Sequence, residues 1–548
     1  MSELRLLPAA ATCWGALIVL LLIRMTLPGI AVVLVVSGLI LVFREYGQAL
    51  FTGAVGLVVV GAADVRRRIA EAFVAPPEFA AEVSATPSVT TTGSVLVKLN
   101  VRGYPEPLAV FTDDSAALDL VPGTPVTADV TLTPSGRPGL GQMVGEGDIT
   151  AVGEPSGLSA VAGFVRQTFA ESVAAHVPGD HRGLITGMTL GDTSLQDEAS
   201  QALYLQTGLS HLSAVSGANV AVVTTSAVLV CRALSLGPRV QVVAALAVLF
   251  IYVCLVGTEP SVLRATVTGI VGLVATVASS RMQPLHALSV AVLVLLIVSP
   301  GLAVNFGFAL SVAATAGIVA LMPVVANPLI AVGLPPILAR ALAVAIAADA
   351  VTMPIISLMT GEVSLVSVLA NVLVAPAAAP VTVLGLIATV LSLIPGTWEI
   401  PVLWAITPLT WWIHTVARLC AELPLVSVAA APPTVLLIYG WVIAGLVNRR
   451  VLLTAGCVAL GAVWLAGPSI SVSPKVDPGQ LRSVTVESEE DLGGVAPGTQ
   501  LIVVLDADGQ PADRPTVTPD GVPVLYPNRD GPVTLHTDGT QHAADGRF

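Results

Sequence analysis

Apolar runs long enough to cross a bilayer recur along most of this chain, and they decide what it can fold into. A spanning helix needs about 20 mostly apolar residues, because backbone amides inside hydrocarbon must be paired within the segment. Such runs stand at about 11–27, 29–43 and 47–63. They resume at about 208–231, 239–256, 261–279, 284–299, 302–323, 337–358, 365–394, 400–421, 432–447 and 450–467. Only 11% of the 548 residues are charged, against about a quarter in a soluble domain, so most of the surface must face lipid. The first run, Trp14 to Leu27, lacks a small-residue cleavage site and leads into a second, so it is expected to be an anchor.

Between the third and fourth runs the composition changes. Arg66, Arg67, Arg68 and Glu71 predict a short interfacial helix over 64–74, and Pro76-Pro77 a linker. In 78–155, Ser94 to Val101 alternates like a strand, and Pro122-Gly123 is a turn leading into a second strand that ends near Leu132. Turn residues recur about every ten positions, which predicts a small β-barrel or sandwich. Leu158, Val161, Val165, Phe169 and Val173 then fall at helical spacing, predicting an amphipathic helix over 157–177 on the bilayer surface. Thr193 to Glu198 carries the cap and early acids of another helix start. Pro354, Pro376 and Pro380 raise the prospect of broken or re-entrant helices across 337–394. The polar tail, 468–548, has strand-like pieces such as Leu501 to Leu505, and both disorder and a small appended domain are open.

The positive-inside rule, applied from Arg5 forward, puts the N-terminus, Arg44, Arg232 with Arg239, Arg281, and Arg449 with Arg450 in the cytoplasm. The 78–155 domain and the tail then lie outside, and Arg66 to Arg68 are the exception to the count. The five cysteines, Cys13, Cys231, Cys254, Cys420 and Cys457, lie in or at the ends of apolar runs without paired spacing, so no structural disulfide and no thiolate metal site is expected.

The polar residues inside the apolar runs are the candidate functional residues. Ser213, Ser216 and Asn219, three apart and close to His211, form one polar stripe on the helix predicted over 208–231. They could line a pore or hydrogen-bond between helices. Arg264 sits a few residues into a span, where a charge is costly. Its guanidinium suits a phosphate, and an interfacial position or a pairing with Glu259 is the alternative. Asp349 lies within the apolar run Ala339 to Ile356; it is expected to be protonated or paired with an arginine such as Arg264, or to serve as a coupling-ion site. Asn305, Glu362 and Asn371 are weaker members of the set.

The run Thr207-Gly-Leu-Ser-His-Leu-Ser-Ala-Val-Ser-Gly217 resembles the signature of the ComEC family of competence proteins. Gly257 followed by Pro260-Ser-Val-Leu-Arg-Ala265 resembles that family's arginine-alanine helix start. Ser299-Pro300 through Phe306-Gly-Phe-Ala-Leu-Ser311 resembles its span entry. Gly361-Glu-Val-Ser-Leu-Val-Ser, Ala370-Asn371 and Pro376 resemble a later element. The resemblance covers roughly 10–465. It implies an α-helical polytopic membrane protein of about 12–13 spans with an inserted OB-like β domain and a polar acidic C-terminal tail. The expected divisions are 1–75, N-terminal helices; 76–156, OB-like domain; 157–206, amphipathic and linker helices; 207–467, channel core; and 468–548, tail.

The implied activity is passage of single-stranded DNA across the cytoplasmic membrane of a bacterium, through a channel in the lipid bilayer. An extracytoplasmic DNA receptor, a separate nuclease and a cytoplasmic motor would be its partners. One copy or a homo-oligomer are both open. Two departures qualify the likeness. Asn219 stands where the family often has a histidine, and His536 and His542 do not form the His-x-His-x-Asp-His cluster of the metallo-β-lactamase-like nuclease that many members carry. This chain is therefore expected to bring no nuclease, no catalytic residue, no metal and no cofactor of its own. No Gly-x-x-x-x-Gly-Lys-Ser/Thr loop is present to make it the motor. The 78–155 domain has ten acids against Lys98, Arg102 and Arg137, and only Phe79, Tyr104 and Phe111 as aromatics, which suits docking better than gripping DNA. The rivals are an ion-coupled transporter of a small solute using Asp349, and an intramembrane enzyme using His211 and Ser216.

Overall fold

The computed structural model describes residues 5–458, apart from 75, 77, 91–92, 142, 214, 216, 258, 278–282, 424–425, 449, 451–452 and 455. Beyond 458 it describes 483–486, 488, 499–505, 516–518, 522–531, 533–535 and 541–543. Residues 1–457 form one unit and 458–548 another.

Three apolar helices open the first unit: α1 (Leu6–Ile23), α2 (Thr26–Val42) and α3 (Tyr46–Glu71). The short interfacial helix expected over 64–74 is instead the end of α3. Its arginines do not break that helix because they are tied down along it: Arg67 and Arg68 each reach Asp64 at 2.8 Å, and Arg67 also meets Glu71. Asp64 accepts in addition from the Thr26 hydroxyl, and Arg66 donates to the Val298 carbonyl. Acids within the same turns thus offset the charge that the topology count leaves on the wrong side.

A small barrel follows: β1 (Glu78–Val83), β2 (Ser88–Val89), β3 (Val95–Val101), β4 (Leu108–Thr112), β5 (Pro125–Pro134) and β6 (Met143–Ala151). The sheet order is β1-β5-β6-β4-β3-β2, and β1 also pairs with β3, which closes the ring. All ring pairings are antiparallel except β4 with β6. Five closed strands with one parallel pair agree with an OB-like domain. Alternation drives the closure, since Val95, Val97, Leu99 and Val101 point inward while Lys98 and Asn100 face out.

The remaining helices form the membrane body: α4 (Gly157–His176), α5 (Arg182–Leu190), α6 (Glu198–Gln206), α7 (Gly217–Ala233), α8 (Pro238–Val256), α9 (Pro260–Val277), α10 (Pro284–Val298), α11 (Phe306–Ala331), α12 (Pro336–Thr360), α13 (Ser367–Ser392), α14 (Ile400–Ala421) and α15 (Pro432–Val447). Among the described residues, seven helices are long and apolar enough to cross a membrane, and five shorter ones are apolar along their length. They account for every expected run but the last, 450–467, which falls largely outside the described residues. The chain is a multi-pass membrane protein.

The structure corrects one of these expectations and refines two others. First, α12 and α13 run unbroken through Pro354, Pro376 and Pro380. A proline removes one backbone bond of a helix, and here Trp412 of α14 donates to the Leu373 carbonyl, next to the one that Pro376 leaves unpaired. Second, the amphipathic α4 does not simply rest on a surface: Val165, Phe169 and Val173 are buried in the body, while Leu158 and Val161 remain exposed. Third, Asp197 caps α6, accepting from the Ser200 amide, so that helix begins at Glu198. In the second unit, β9 (Ser483–Val486), β10 (Leu501–Val504), β11 (Thr516–Val517) and β12 (Pro523–Leu525) make one small sheet, in the order β11-β12-β10-β9, and β13 (Val533–Leu535) pairs with β14 (Gln541–Ala543). Of the two readings left open for the tail, this favours a small folded piece.

Candidate functional site

The expected span over 208–231 begins only at Gly217. The described residues from 207 to 215 carry a 3-10 turn at Ser210–Leu212 and no α-helix, so Ser213 does not share one helical stripe with Asn219. Gly208 makes the turn: its φ is +71°, and a Cβ there would lie 2.6 Å from the Ser367 Cβ, so only glycine lets α13 pack so closely.

This irregular segment is where the separated motifs meet. Ser261, at the start of α9, donates to the Val215 carbonyl at 2.9 Å. Arg264, one turn on and 7% exposed, lays its guanidinium against Gly217 and donates from Nε to the Ser311 hydroxyl of α11 at 2.7 Å. From α13, Asn371 donates to the Ser367 carbonyl at 2.9 Å and, at 3.5 Å, to that of Gly208. Asp349 of α12 accepts from the Ser367 hydroxyl and from Tyr439 of α15 at 3.4 Å. Arg264 and Asp349 therefore serve different neighbours. Among the described residues neither is in an ion pair, and the exposed Glu259 does not reach Arg264 either.

Behind the segment lies α5, nine residues long and buried from Gly183 to Leu190. Its last carbonyls are met from outside the helix. Asn219 donates to Met188 at 2.7 Å and Tyr252 to Thr189 at 3.1 Å, while the Asn219 side-chain oxygen receives Thr382 at 3.4 Å. In front lies an open cavity of about 500 Å³ whose rim includes Thr193, Gln196, Gln201, Tyr204, Ser210 and Ser213. Gln196 donates to Ser213 across it at 2.9 Å.

Of the sequence-predicted residues, Ser213, Asn219, Arg264, Asp349 and Asn371 thus hold or border this segment. His211 lies in its 3-10 turn with an exposed side chain. Asn305 stands apart as the cap of α11, accepting from the Phe308 amide at 3.0 Å. Ser216 lies outside the described residues. Glu362 is exposed in β7 (Glu362–Ser364), which pairs with β8 (Ser427–Ala429).

Sequence reasoning missed Tyr204, His414, Tyr252 and Thr382, each an unremarkable polar residue in an apolar helix. It also missed Glu106, whose carboxylate takes backbone N–H bonds from Gly141, Leu140 and Gly301, so tying the barrel to the α10–α11 connection. Burial pushes that carboxyl above its ordinary value despite those donors and nearby Arg66.

Compared with known proteins, the family described as Competence protein matches residues 188–472, more than half of the chain. The chain belongs to that family. ComE operon protein 3 of Bacillus subtilis (strain 168) is 30% identical over 137 residues, which is 25% of this chain and 18% of that protein. The matched stretch is thus a minor part of the relative's length. No solved structure matches.

Proposed function

We propose that this competence protein is the channel that passes single-stranded DNA across the cytoplasmic membrane, with a receptor, a nuclease and a motor supplied by other proteins. The observation that carries the reading is convergence. Four motifs far apart in sequence pack around one irregular polar segment inside the membrane body, beside an open cavity. Non-helical backbone at such depth is tolerated only where protein or water covers it, so water in the cavity suits both the backbone and a hydrated strand. Ser213 lines the cavity beside Ser210 and Gln196, while Asn219, Arg264, Asp349 and Asn371 hold the surrounding helices together, and among the described residues Arg264 is a cation in no ion pair. The barrel, with ten acids to three bases, docks the assembly rather than gripping the strand.

Deleting the gene from a transformable host should abolish entry of DNA into the cytoplasm while DNA still binds at the surface. Normal transformation in the deletion strain would refute the reading, and a defect in uptake of one small solute would favour the transporter. Purified protein should leave DNA intact with magnesium, manganese or zinc present; cleavage that copurifies with this chain would refute the division of labour.

A further inference from the structure

His181, His414 and Tyr204 form a cluster that the channel reading does not use. His181 caps the start of α5, His414 is on α14 and Tyr204 is on α6. The two imidazole centroids are 6.4 Å apart, and the Tyr204 ring meets His414 edge-on at 6.0 Å. The Tyr204 oxygen and His414 Nδ1 are 2.9 Å apart. Nε2 of His181 is buried without a partner. Tyr204 is 1% exposed, yet its side chain is part of the cavity wall.

Such a group can hold a metal ion or a proton. Among the described residues no three His, Cys, Asp or Glu side chains are gathered closely enough for a metal. A proton needs less: one basic nitrogen, a partner to relay it and charges to tune it. The charges facing the pair are Asp180 and Asp197, which favour the proton, and Arg418, which opposes it; Glu198 lies further out on the cavity rim.

We propose that His181 and His414 form a proton-binding pair, reached from the cavity through Tyr204, and that taking up the proton turns the cavity wall toward anions.

The steps balance as follows. The Ser200 hydroxyl donates to the Asp180 carbonyl at 3.5 Å, and the Tyr204 oxygen is left facing His414 Nδ1. With the pair neutral, the Tyr204 O–H donates to the Nδ1 lone pair of His414, whose own proton sits on Nε2. One proton from cavity water, added at Nδ1, reverses the bond: Nδ1–H now donates to the phenol oxygen. The phenol O–H is freed to point into the cavity, and a unit positive charge stands behind it. Both changes favour a phosphate. Return of the Nδ1 proton to cavity water restores the first state at Tyr204, and the buried Nε2 of His181 is the second basic nitrogen of the pair. Burial and the His414 charge hold the basicity of His181 below that of a free imidazole, while Asp180 works the other way. A second proton on the pair is therefore resisted.

The proposal deepens the channel reading and rests on it for its DNA arm alone. The test uses full-length protein in nanodiscs with labelled histidine, the seven histidines being assigned by single substitutions. His181 and His414 should titrate as a coupled pair, and His414→Gln should raise the His181 midpoint by removing a like charge. Tyr204→Phe, which keeps the ring and its packing, should alter the Nδ1 signal of His414. A His181 midpoint unmoved by His414→Gln would overturn the pair.

In cells, DNA entry should depend on external pH in the parent. Tyr204→Phe and His414→Gln should flatten that profile and lower entry by about tenfold, the scale of one lost hydrogen bond, with protein accumulating normally. An unchanged profile in both variants would overturn the link to the cavity. If the deletion strain still imports DNA, the channel reading falls while the titration still decides whether the site exists.

Discussion

The contact between Gly217 and Arg264 offers a way to move the buried guanidinium without removing it. A Cβ added at Gly217 would lie 2.7 Å from Arg264 Nη2 and 3.4 Å from the Ala265 Cβ. The second distance is ordinary contact; the first is not, so Gly217→Ala must push the end of the arginine aside. That displacement strains the 2.7 Å bond from Nε to Ser311. Losing a hydrogen bond between membrane helices costs about 0.6 kcal/mol on average and up to about 1.7. Alanine in place of glycine returns about 0.5–1 kcal/mol inside a helix and less at Gly217, the first residue of α7. The two nearly cancel, so the protein should accumulate and melt close to the parent. DNA entry should nevertheless drop, because the only change of consequence is where the cation sits. Arg264→Leu should abolish entry, and Arg264→Lys should restore part of it, keeping the charge without the planar fork. The assay is transformation frequency normalised to the amount of protein in the membrane. Parent-level transformation by both Gly217→Ala and Arg264→Leu would refute a role for this arginine in the path.

Three further outcomes test other parts of the structure. Asp349→Asn keeps an acceptor for Ser367 and Tyr439 and should be mild, whereas Asp349→Leu strands both hydroxyls at about 1–3 kcal/mol each and should lower the melting temperature; combined with Arg264→Leu, Asp349→Asn should add to the loss rather than rescue it, since the two residues are not partners. The folded pKa of His181 lies below its ordinary 6.5 because of burial, so the unfolded chain binds the proton more readily; the stability it contributes is present above about pH 6.5 and lost as pH falls from there through the lower folded value, and His181→Gln should flatten the acid side of a melting-temperature profile. A cysteine at Ser115, exposed on the barrel, should react with an impermeant thiol reagent on intact cells, while one at Arg281 should not; the reverse would overturn the count of the first three helices.

Hydrophobic runs made nearly every spanning helix legible, because burial in lipid dictates composition over some 20 residues whatever the packing. Alternation and turn residues did the same for β3 and β5 of the six barrel strands. What composition could not convey was continuity. Arg66 to Arg68 read as a separate interfacial helix, but Asp64 and Glu71 pair with Arg67 and Arg68 within the turn, Arg66 donates to the Val298 carbonyl, and α3 continues. The opposite error occurred just before Gly217, where an apolar run read as helix, yet among the described residues the Gly208 turn and the side chains bonded to the Gly208 and Val215 carbonyls go with backbone that is not α-helical. The site itself was half legible. Arg264 and Asn219 stood out as polar residues in lipid, but their partners, Ser311 and Thr382, are small hydroxyls such as any membrane helix carries, and which hydroxyl matters is a fact of three-dimensional packing.

Whether the polar residues of the signature line a path or join helices is, in this structure, one question rather than two. A helix of nine residues rises only about 14 Å, less than half the roughly 30 Å of hydrocarbon, so α5 must end inside the protein. Its final carbonyls cannot be left bare there. Backbone amides of Gly191 and Asp192 meet those of Gly187 and Thr186, and the side chains of Asn219 and Tyr252 meet those of Met188 and Thr189. An amide suits position 219 because it donates to Met188 and accepts from Thr382 at once. Joining helices is therefore what permits the short helix and the irregular segment beside it. That segment, held open by Ser261, Asn371 and the packing of Gly208, contributes Ser210 and Ser213 to the wall of the cavity. The residues that pair the backbone are thus what brings Ser210 and Ser213 to the cavity.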